Sequence, residues 1–108
     1  MEYEIAQDGE QLVVTLAGEV DVASADELAW VLQEAELRSL DVVLDLQKVA
    51  FLDSTALGAV VGSTRRLRDR GGDLKLIVTN PHVLRVLRIT NLDSLIVVLD
   101  NSANFVES

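Results

Sequence analysis

Large apolar residues recur at every second position in the segment that follows Gln11. Leu12, Val14 and Leu16 are separated by single residues, which is typical of a strand with one buried face. The dipeptide Asp8-Gly9 just upstream is a strong signal for a tight hairpin turn. The pattern therefore predicts an N-terminal β-hairpin with Tyr3 to Ile5 in its first strand.

From Ser24 the apolar spacing changes to that of a helix. Ser24 and Glu27 have the spacing of a capping box, and apolar residues then recur at helical intervals: Leu28, Val31, Leu32 and Ala35. These signals predict a first helix from about Ser24 to Arg38. The segment from Asp41 to Leu46 is β-branched and almost wholly apolar, which predicts a central strand covered on both faces.

The second half of the chain continues the alternation of helix and strand. A second helix is predicted to end at Gly71-Gly72, and its apolar stripe consists of Leu57, Val60, Val61 and Leu67. Leu74 to Val78 is predicted to be a strand, and Asn80-Pro81 begins a third helix with Asn as the cap. Leu95 to Leu99 forms the last predicted strand, and the tail from Asn101 is at most a short helix.

The element order β-β-α-β-α-β-α-β predicts a mixed α/β fold in one domain over residues 1–108. Strands that alternate with helices imply a mostly parallel sheet with right-handed crossovers, and the opening hairpin supplies an antiparallel edge. The 108 residues, 49% of them hydrophobic, are sufficient for one core. Gly58 and Gly62 form a G-x-x-x-G pattern, which we expect to allow close packing of the second helix on the sheet.

Composition narrows the classes of function. The net charge of −9 would repel nucleic acid, and 13 acidic and 2 basic residues give the first 53 positions a charge of −11. The absence of cysteine excludes disulfides and thiolate metal sites, and no other metal-ligand cluster is evident. The longest near-apolar stretch, Ala56 to Gly62, is far shorter than the roughly 18 residues of a membrane span. We therefore expect a cytoplasmic protein that neither binds nucleic acid nor inserts into a membrane.

The segment from Val49 to Gly58 passes from a strand end to a helix start and carries two hydroxyl residues, Ser54 and Thr55. Partners and ligands of parallel sheets meet the fold at the carboxyl ends of strands. A helix N-terminus also tolerates an anion, such as a phosphate on Ser54. Two alternatives remain open: Asp53 and Ser54 serve only as helix caps, or Thr55 is the phosphate acceptor.

This segment resembles the phosphoacceptor motif of the STAS domain family, to which anti-sigma factor antagonists belong. Gly18 to Asp21 resembles the G-E-[LIV]-D segment that precedes the first helix of the family, and Val42 to Leu46 resembles the strand before the acceptor. In the family, the serine after the motif aspartate is phosphorylated, and that position matches Ser54. Ala56 departs from the glycine that is usual in the family.

The resemblance implies a regulatory protein rather than an enzyme: an anti-sigma factor antagonist whose phosphorylation at Ser54 switches binding of an anti-sigma factor with serine kinase activity. ATP and Mg²⁺ would be needed only on that kinase, a serine phosphatase would reset the switch, and the chain itself would need no cofactor. We expect Asp53, Thr55 and Gly58 to lie near the partner. Asp21 either lines the same surface or is a solvated carboxylate in the first turn of its helix.

Two other functions and one further residue remain open from the sequence. A STAS-like fold is also compatible with a structural subunit that clamps the ATPase of a membrane lipid ABC transporter. A hydrolase dyad of Ser54 and His82 is conceivable, although no G-x-S-x-G motif accompanies it. Trp30 is expected to be partly buried, whereas an exposed Trp30 would be a candidate anchor for a partner.

Overall fold

A five-stranded sheet forms the centre of the computed structural model, which describes residues 1–100. The strands are β1 (Glu2–Asp8), β2 (Gln11–Val20), β3 (Asp41–Leu52), β4 (Asp73–Val78) and β5 (Val97–Asp100). The helices are α1 (Ala25–Arg38), α2 (Leu57–Asp69) and α3 (Pro81–Ile89), and 3-10 turns precede α1, α2 and β5 at Val22–Ser24, Ser54–Ala56 and Leu92–Ser94. The predicted order of elements is confirmed, and the predicted tail helix from Asn101 lies outside the described residues.

The strands lie in the order β1-β2-β3-β4-β5, with β1 antiparallel to β2 and all other neighbours parallel. This arrangement confirms the mixed, mostly parallel sheet with a hairpin at its edge. Asp8 pairs with Gln11, so Gly9 and Glu10 form a two-residue loop. Gly9 has φ of +62°, a left-handed conformation that glycine adopts without steric cost.

The helices cover one face of the sheet. In β2 and β4, buried side chains alternate with half-buried ones. The buried set joins apolar side chains of all three helices in one core, which includes Leu12, Val14, Leu16, Leu28, Leu32, Leu57, Leu67, Leu74, Leu76, Val83 and Leu87. Each helix connects two parallel strands that are neighbours in the sheet. Because such connections are right-handed, they place all three helices on the same side of the sheet. Within the predicted segment Asp41–Leu46, Val43 on the face without helices is buried, but Asp45 on that face is only half-buried. The prediction that this strand is covered on both faces is therefore wrong.

Strand β3 continues to Leu52, past the predicted end at Leu46. The pairing of β2 with β3 shifts register next to Asp45, so a bulge interrupts the ladder there. The carboxylate of Asp45 accepts hydrogen bonds from the backbone N–H of Gln47 at 2.9 Å and from its side-chain amide at 3.2 Å. The longer strand carries the chain to the sheet edge where Asp53 and Ser54 follow.

The predicted capping box at Ser24 and Glu27 is wrong. The cap is Asp21, whose Oδ1 accepts from the Ser24 N–H at 3.1 Å and from the Ser24 hydroxyl at 2.9 Å. Ser24 makes no side-chain cap of its own. The reason is the 3-10 turn Val22–Ser24, which extends the helical segment upstream and moves its first free N–H groups toward Asp21.

Helix α2 ends at Asp69, just before Gly71-Gly72, as the sequence predicts. Gly71 has φ of +88°, and the N–H of Gly72 donates to the Leu67 carbonyl at 2.8 Å, which satisfies one of the last free carbonyls of the helix. A Cβ at Gly72 would overlap the backbone carbonyl of Leu40. Glycine is therefore required here by close approach of two backbone segments.

The expected close packing of Gly58 and Gly62 on the sheet is wrong. Gly58 is exposed, and a Cβ built on it meets no atom within 4 Å. A Cβ on Gly62 would meet the guanidinium of Arg66 at 3.2 Å rather than the sheet. Gly58 is thus available for a role at the surface. Within residues 1–100, none of the helices is both long and apolar enough to cross a membrane.

Candidate functional site

Two parallel strands end side by side and place two acidic turns at one edge of the sheet. Val20 at the end of β2 pairs with Leu52 at the end of β3, and the N–H of Asp53 donates to the Val20 carbonyl at 2.8 Å. The 3-10 turns that follow, Val22–Ser24 and Ser54–Ala56, are in contact. The structure therefore brings the segment that begins at Asp21 to the segment that carries Ser54.

Asp53 caps the turn that carries Ser54. Its Oδ1 accepts from the Thr55 N–H at 2.7 Å, and its own backbone is extended. This hydrogen bond from the Thr55 backbone lowers the pKa of the Asp53 carboxyl, because it stabilises the charged form. Asp53 therefore acts as a cap, as one of the alternatives from the sequence stated, and it keeps a negative charge beside Ser54 at neutral pH.

The hydroxyl of Ser54 is left free by this arrangement. Ser54 is exposed, and its side chain makes no hydrogen bond to another protein atom within residues 1–100. The cap uses the carboxylate of Asp53 instead, so Ser54 is not needed to hold the turn. Thr55 is also exposed, and Gly58 is exposed in the first turn of α2.

Ala56 stands at the position where the family that this sequence resembles usually has glycine, and it points into the core. It is fully buried, as is Leu57 beside it. The extra methyl group of Ala56 is thus accommodated by the interior and does not project from the surface that carries Ser54. The departure from the family pattern leaves that surface unchanged.

Helix α3 begins at the same edge and brings an aromatic pair there. Asn80 caps it by accepting from the His82 N–H at 2.8 Å, and the Asn80 amide donates to the Val49 carbonyl at 3.3 Å. The His82 ring stacks on Phe51 with ring centroids 5.7 Å apart. No hydrogen bond joins His82 to Ser54 in the described part of the chain, so the structure does not form the hydrolase dyad.

Two exposed apolar residues at this edge were missed from the sequence: Val22, in the turn after Asp21, and Phe51, two residues before Asp53. The signal for Phe51 was present, since only 4% of the chain is aromatic and this ring stands at a strand end. The exposure of Val22 follows from the 3-10 turn, which the sequence pattern did not indicate. Both apolar side chains flank the turns that carry Asp21 and Ser54.

Ser54 lies on an exposed surface at the edge of the sheet. A concavity of about 430 Å³ lies elsewhere, on the uncovered face of the sheet, and it is lined by Glu2, Tyr3, Glu4, Thr15, Ala17 and Lys48. Among residues 1–100 no three metal-ligating side chains converge on a common point. The Ser54 edge combines an exposed hydroxyl and two carboxylates with the exposed apolar side chains of Val22 and Phe51, and exposed aromatic rings are enriched in protein contact surfaces.

Comparison with known proteins identifies the family. The family model of the STAS domain matches residues 2–105. The chain is 33% identical over 93 residues to the anti-sigma-B factor antagonist of Bacillus subtilis, covering 86% of this chain and 85% of that protein. It is 32% identical over 95 residues to the anti-sigma F factor antagonist of Paenibacillus polymyxa, covering 86% of this chain and 81% of that protein. The chain therefore belongs to the STAS domain family, and the resemblance seen in the sequence is confirmed.

Solved structures show the same fold. The anti-sigma factor antagonist SpoIIAA in its unphosphorylated form superposes with a TM-score of 0.78 at 20% identity, over 96% of this chain and 93% of that chain. The phosphorylated form of SpoIIAA from Bacillus superposes with a TM-score of 0.69 at 18% identity, over 98% of both chains. The mixed sheet with three helices is thus the fold of this family.

Proposed function

We propose that this protein is an anti-sigma factor antagonist whose binding to an anti-sigma factor is switched by phosphorylation of Ser54. The observation that carries the proposal is the exposed Ser54 hydroxyl at the strand-to-helix junction, which makes no hydrogen bond to any protein atom among residues 1–100. The names of the two relatives, antagonists of anti-sigma factors, support the same class of partner. They do not favour the alternative of a transporter subunit. The protein acts by binding and is not an enzyme.

Phosphorylation changes the charge of the contact surface. A phosphoserine adds about −1.5 to −2 charges and three acceptor oxygens. Asp53 and Asp21 already place carboxylates at this edge. At about 5 Å and an effective dielectric of roughly 40, the phosphate and each carboxylate repel by about 1.7 kcal/mol per pair of unit charges. An interface that cannot neutralise two such pairs loses affinity on the order of a hundredfold. A partner that fits the neutral hydroxyl is therefore released by the phosphorylated form.

The same modification leaves the fold intact. The hydroxyl of Ser54 holds no hydrogen bond of the turn, because Asp53 provides the cap. The phosphate lies at the start of a helical segment, where an anion is favoured. We expect the phosphorylated and unphosphorylated forms to have matching melting temperatures. A large loss of melting temperature on phosphorylation would contradict this mechanism.

The partner supplies the chemistry of the switch. In this proposal a serine kinase anti-sigma factor provides the ATP and Mg²⁺ site and transfers the phosphoryl group to Ser54. A serine phosphatase hydrolyses the phosphoserine and restores binding. The antagonist then acts in the cytoplasm, where sigma factors direct transcription, and needs no cofactor of its own.

The test is a phosphorylation and binding assay with the anti-sigma factor kinase of the native host. We expect Ser54→Ala to bind like wild type and to resist phosphorylation, and Ser54→Asp to bind more weakly. Thr55→Ala is the matched control, because Thr55 is the neighbouring exposed hydroxyl; it should still be phosphorylated. Peptide mapping locates the modified residue. Phosphorylation that persists in Ser54→Ala, or equal affinity of wild type and Ser54→Asp, would refute the proposal.

A further inference from the structure

Helix α1 exposes two large apolar side chains, Trp30 and Leu37, on the face that points away from the core. Its inner face is buried through Leu28, Val31, Leu32 and Ala35. Its outer face is exposed at Asp26, Trp30, Gln33 and Leu37, which follow each other at intervals of four, three and four residues. We call these four residues the α1 stripe. Such spacing is that of a helix face that packs against another element.

The α1 stripe exposes an unusual amount of apolar surface. Trp30 is 55% exposed, Leu37 is 77% exposed, and Val22 just upstream is 60% exposed. Trp30 is the only tryptophan of the chain. Because a large side chain carries about 150–250 Å², the three residues together leave on the order of 350 Å² of apolar surface in solvent. Exposed patches of this size are often binding sites.

A second copy of this chain is a poor occupant for the stripe. A stable interface buries about 800 Å² on each partner, roughly twice what the stripe and Val22 provide. The net charge is −9, and Asp26 and Glu27 are exposed on α1. Two copies that met along this helix would bring like charges together. At the N-terminal end of the stripe these carboxylates fit a basic group of a partner, whereas Arg66 and Arg70 lie beside Gln33 and Leu37 toward its other end.

The stripe is continuous with the Ser54 edge. Helix α1 follows directly on the turn Val22–Ser24, and that turn contacts the turn Ser54–Ala56. The 14 residues of α1 span about 21 Å, which is within the width of one interface of standard size. We propose that Val22 and the α1 stripe are a second docking contact for the same partner whose binding Ser54 controls. This inference rests on the proposed function.

The test measures affinity for the anti-sigma factor kinase that phosphorylates Ser54. We expect Trp30→Ala to weaken binding about thirtyfold and Leu37→Ala about fivefold, since exposed tryptophans are the strongest interface anchors. Ile89→Ala is the matched control: Ile89 is 76% exposed but belongs to α3 and not to the α1 stripe, so its replacement should change affinity less than about twofold. Thermal melting of each variant verifies that the fold is retained.

Two further readouts support or overturn the inference. Trp30 fluorescence should shift to the blue when a kinase without tryptophan is added, because the ring leaves water. The effects of Trp30→Ala and Ser54→Asp should be additive in the double variant, because the two residues act at separate places.

The outcomes separate this inference from the proposed function. If Ser54→Asp weakens binding while Trp30→Ala and Leu37→Ala bind like wild type, the α1 docking contact is refuted and the switch stands. If the wild-type protein does not bind the kinase, both the α1 docking contact and the proposed function are refuted. If light scattering shows a dimer that Trp30→Ala dissociates, with unchanged kinase affinity, the stripe serves self-association and the inference is wrong.

Discussion

Replacing Arg66 and Arg68 by glutamine, one at a time, compares a buried ion pair with an exposed one on the same helix. Arg66 donates to Glu36 of α1 at 2.8 and 2.9 Å, and Arg68 donates to Asp73 at 2.9 Å. The carboxylates differ in burial: Glu36 is only 5% exposed, whereas Asp73 is partly exposed. The two variants therefore differ in the burial of the acceptor and in the number of hydrogen bonds that the arginine loses, two for Arg66 and one for Arg68.

Glu36 depends on its partners to stay charged. Burial opposes ionisation and by itself raises the pKa of Glu36, but the hydrogen bonds from Arg66 and Ser63 and the charges of Arg66 and Arg70 outweigh it. The net pKa of Glu36 lies below its usual value of 4.5. This ion pair thus stabilises the fold above that pH, and the contribution is lost as the pH falls through the lowered pKa.

The expected cost follows from these contacts. Hydrogen bonds to charged groups contribute about 1.5–3 kcal/mol each. Because Arg66 is itself 48% exposed, water screens part of that energy. We expect Arg66→Gln to lower the free energy of unfolding by about 2 kcal/mol, or about 8 °C in melting temperature. Arg68→Gln should cost at most about 0.5 kcal/mol.

Urea unfolding at neutral pH and near pH 4 checks this reasoning. Without Arg66 the buried Glu36 keeps the burial penalty, so its pKa should rise and it should take up a proton on acidification. The deficit of Arg66→Gln should therefore shrink at the lower pH, while that of Arg68→Gln stays small at both. Equal costs for the two variants, or a deficit for Arg66→Gln that grows on acidification, would refute the argument.

Three backbone and cap positions give further predictions. Gly72→Ala should lower the free energy of unfolding by about 1–3 kcal/mol in urea titrations, because its Cβ would overlap the Leu40 carbonyl; an unchanged value would contradict this. Gly58→Ala, with open space around its Cβ, should raise stability by up to about 1 kcal/mol yet weaken partner binding; a loss of stability would argue against the placement of Gly58. Asp21→Ala should lower the free energy of unfolding by about 1 kcal/mol in thermal melts, since it removes the acceptor for two Ser24 donors. An unchanged stability would contradict the role of Asp21 as the cap.

The fold could be predicted because its signals are local. Alternating strands, the Asp8-Gly9 turn and the Asn80-Pro81 helix start are each contained in a few residues, and each is found in the structure. The failures arise where tertiary contacts decide. The bulge beside Asp45 lets β3 continue through polar Gln47, and the 3-10 turn moves the cap of α1 to Asp21.

The site could be predicted only in part for the same reason. The position of Ser54 between a strand and a helix is visible in the sequence, and the structure leaves that hydroxyl exposed. Glu36 meets Ser63 and Arg66 across 27 and 30 positions of the chain, a pairing that no local pattern indicates. The outer face of α1 was predicted only in part, because the sequence left an exposed Trp30 open as a partner anchor but did not indicate that Leu37 is exposed on the same face.

Four consecutive residues explain how a switch can operate on this scaffold without disturbing it. Asp53 holds the turn through the Thr55 amide, and Ala56 is buried in the core. The Ser54 side chain makes no hydrogen bond to the protein within residues 1–100. If Ser54 were the cap, its phosphorylation would break a structural hydrogen bond and would couple binding to stability. Because the cap and the core anchor are separate from the acceptor, a charge added at Ser54 acts on whatever docks there. The division of roles among neighbouring residues is what makes the turn suited to reversible modification.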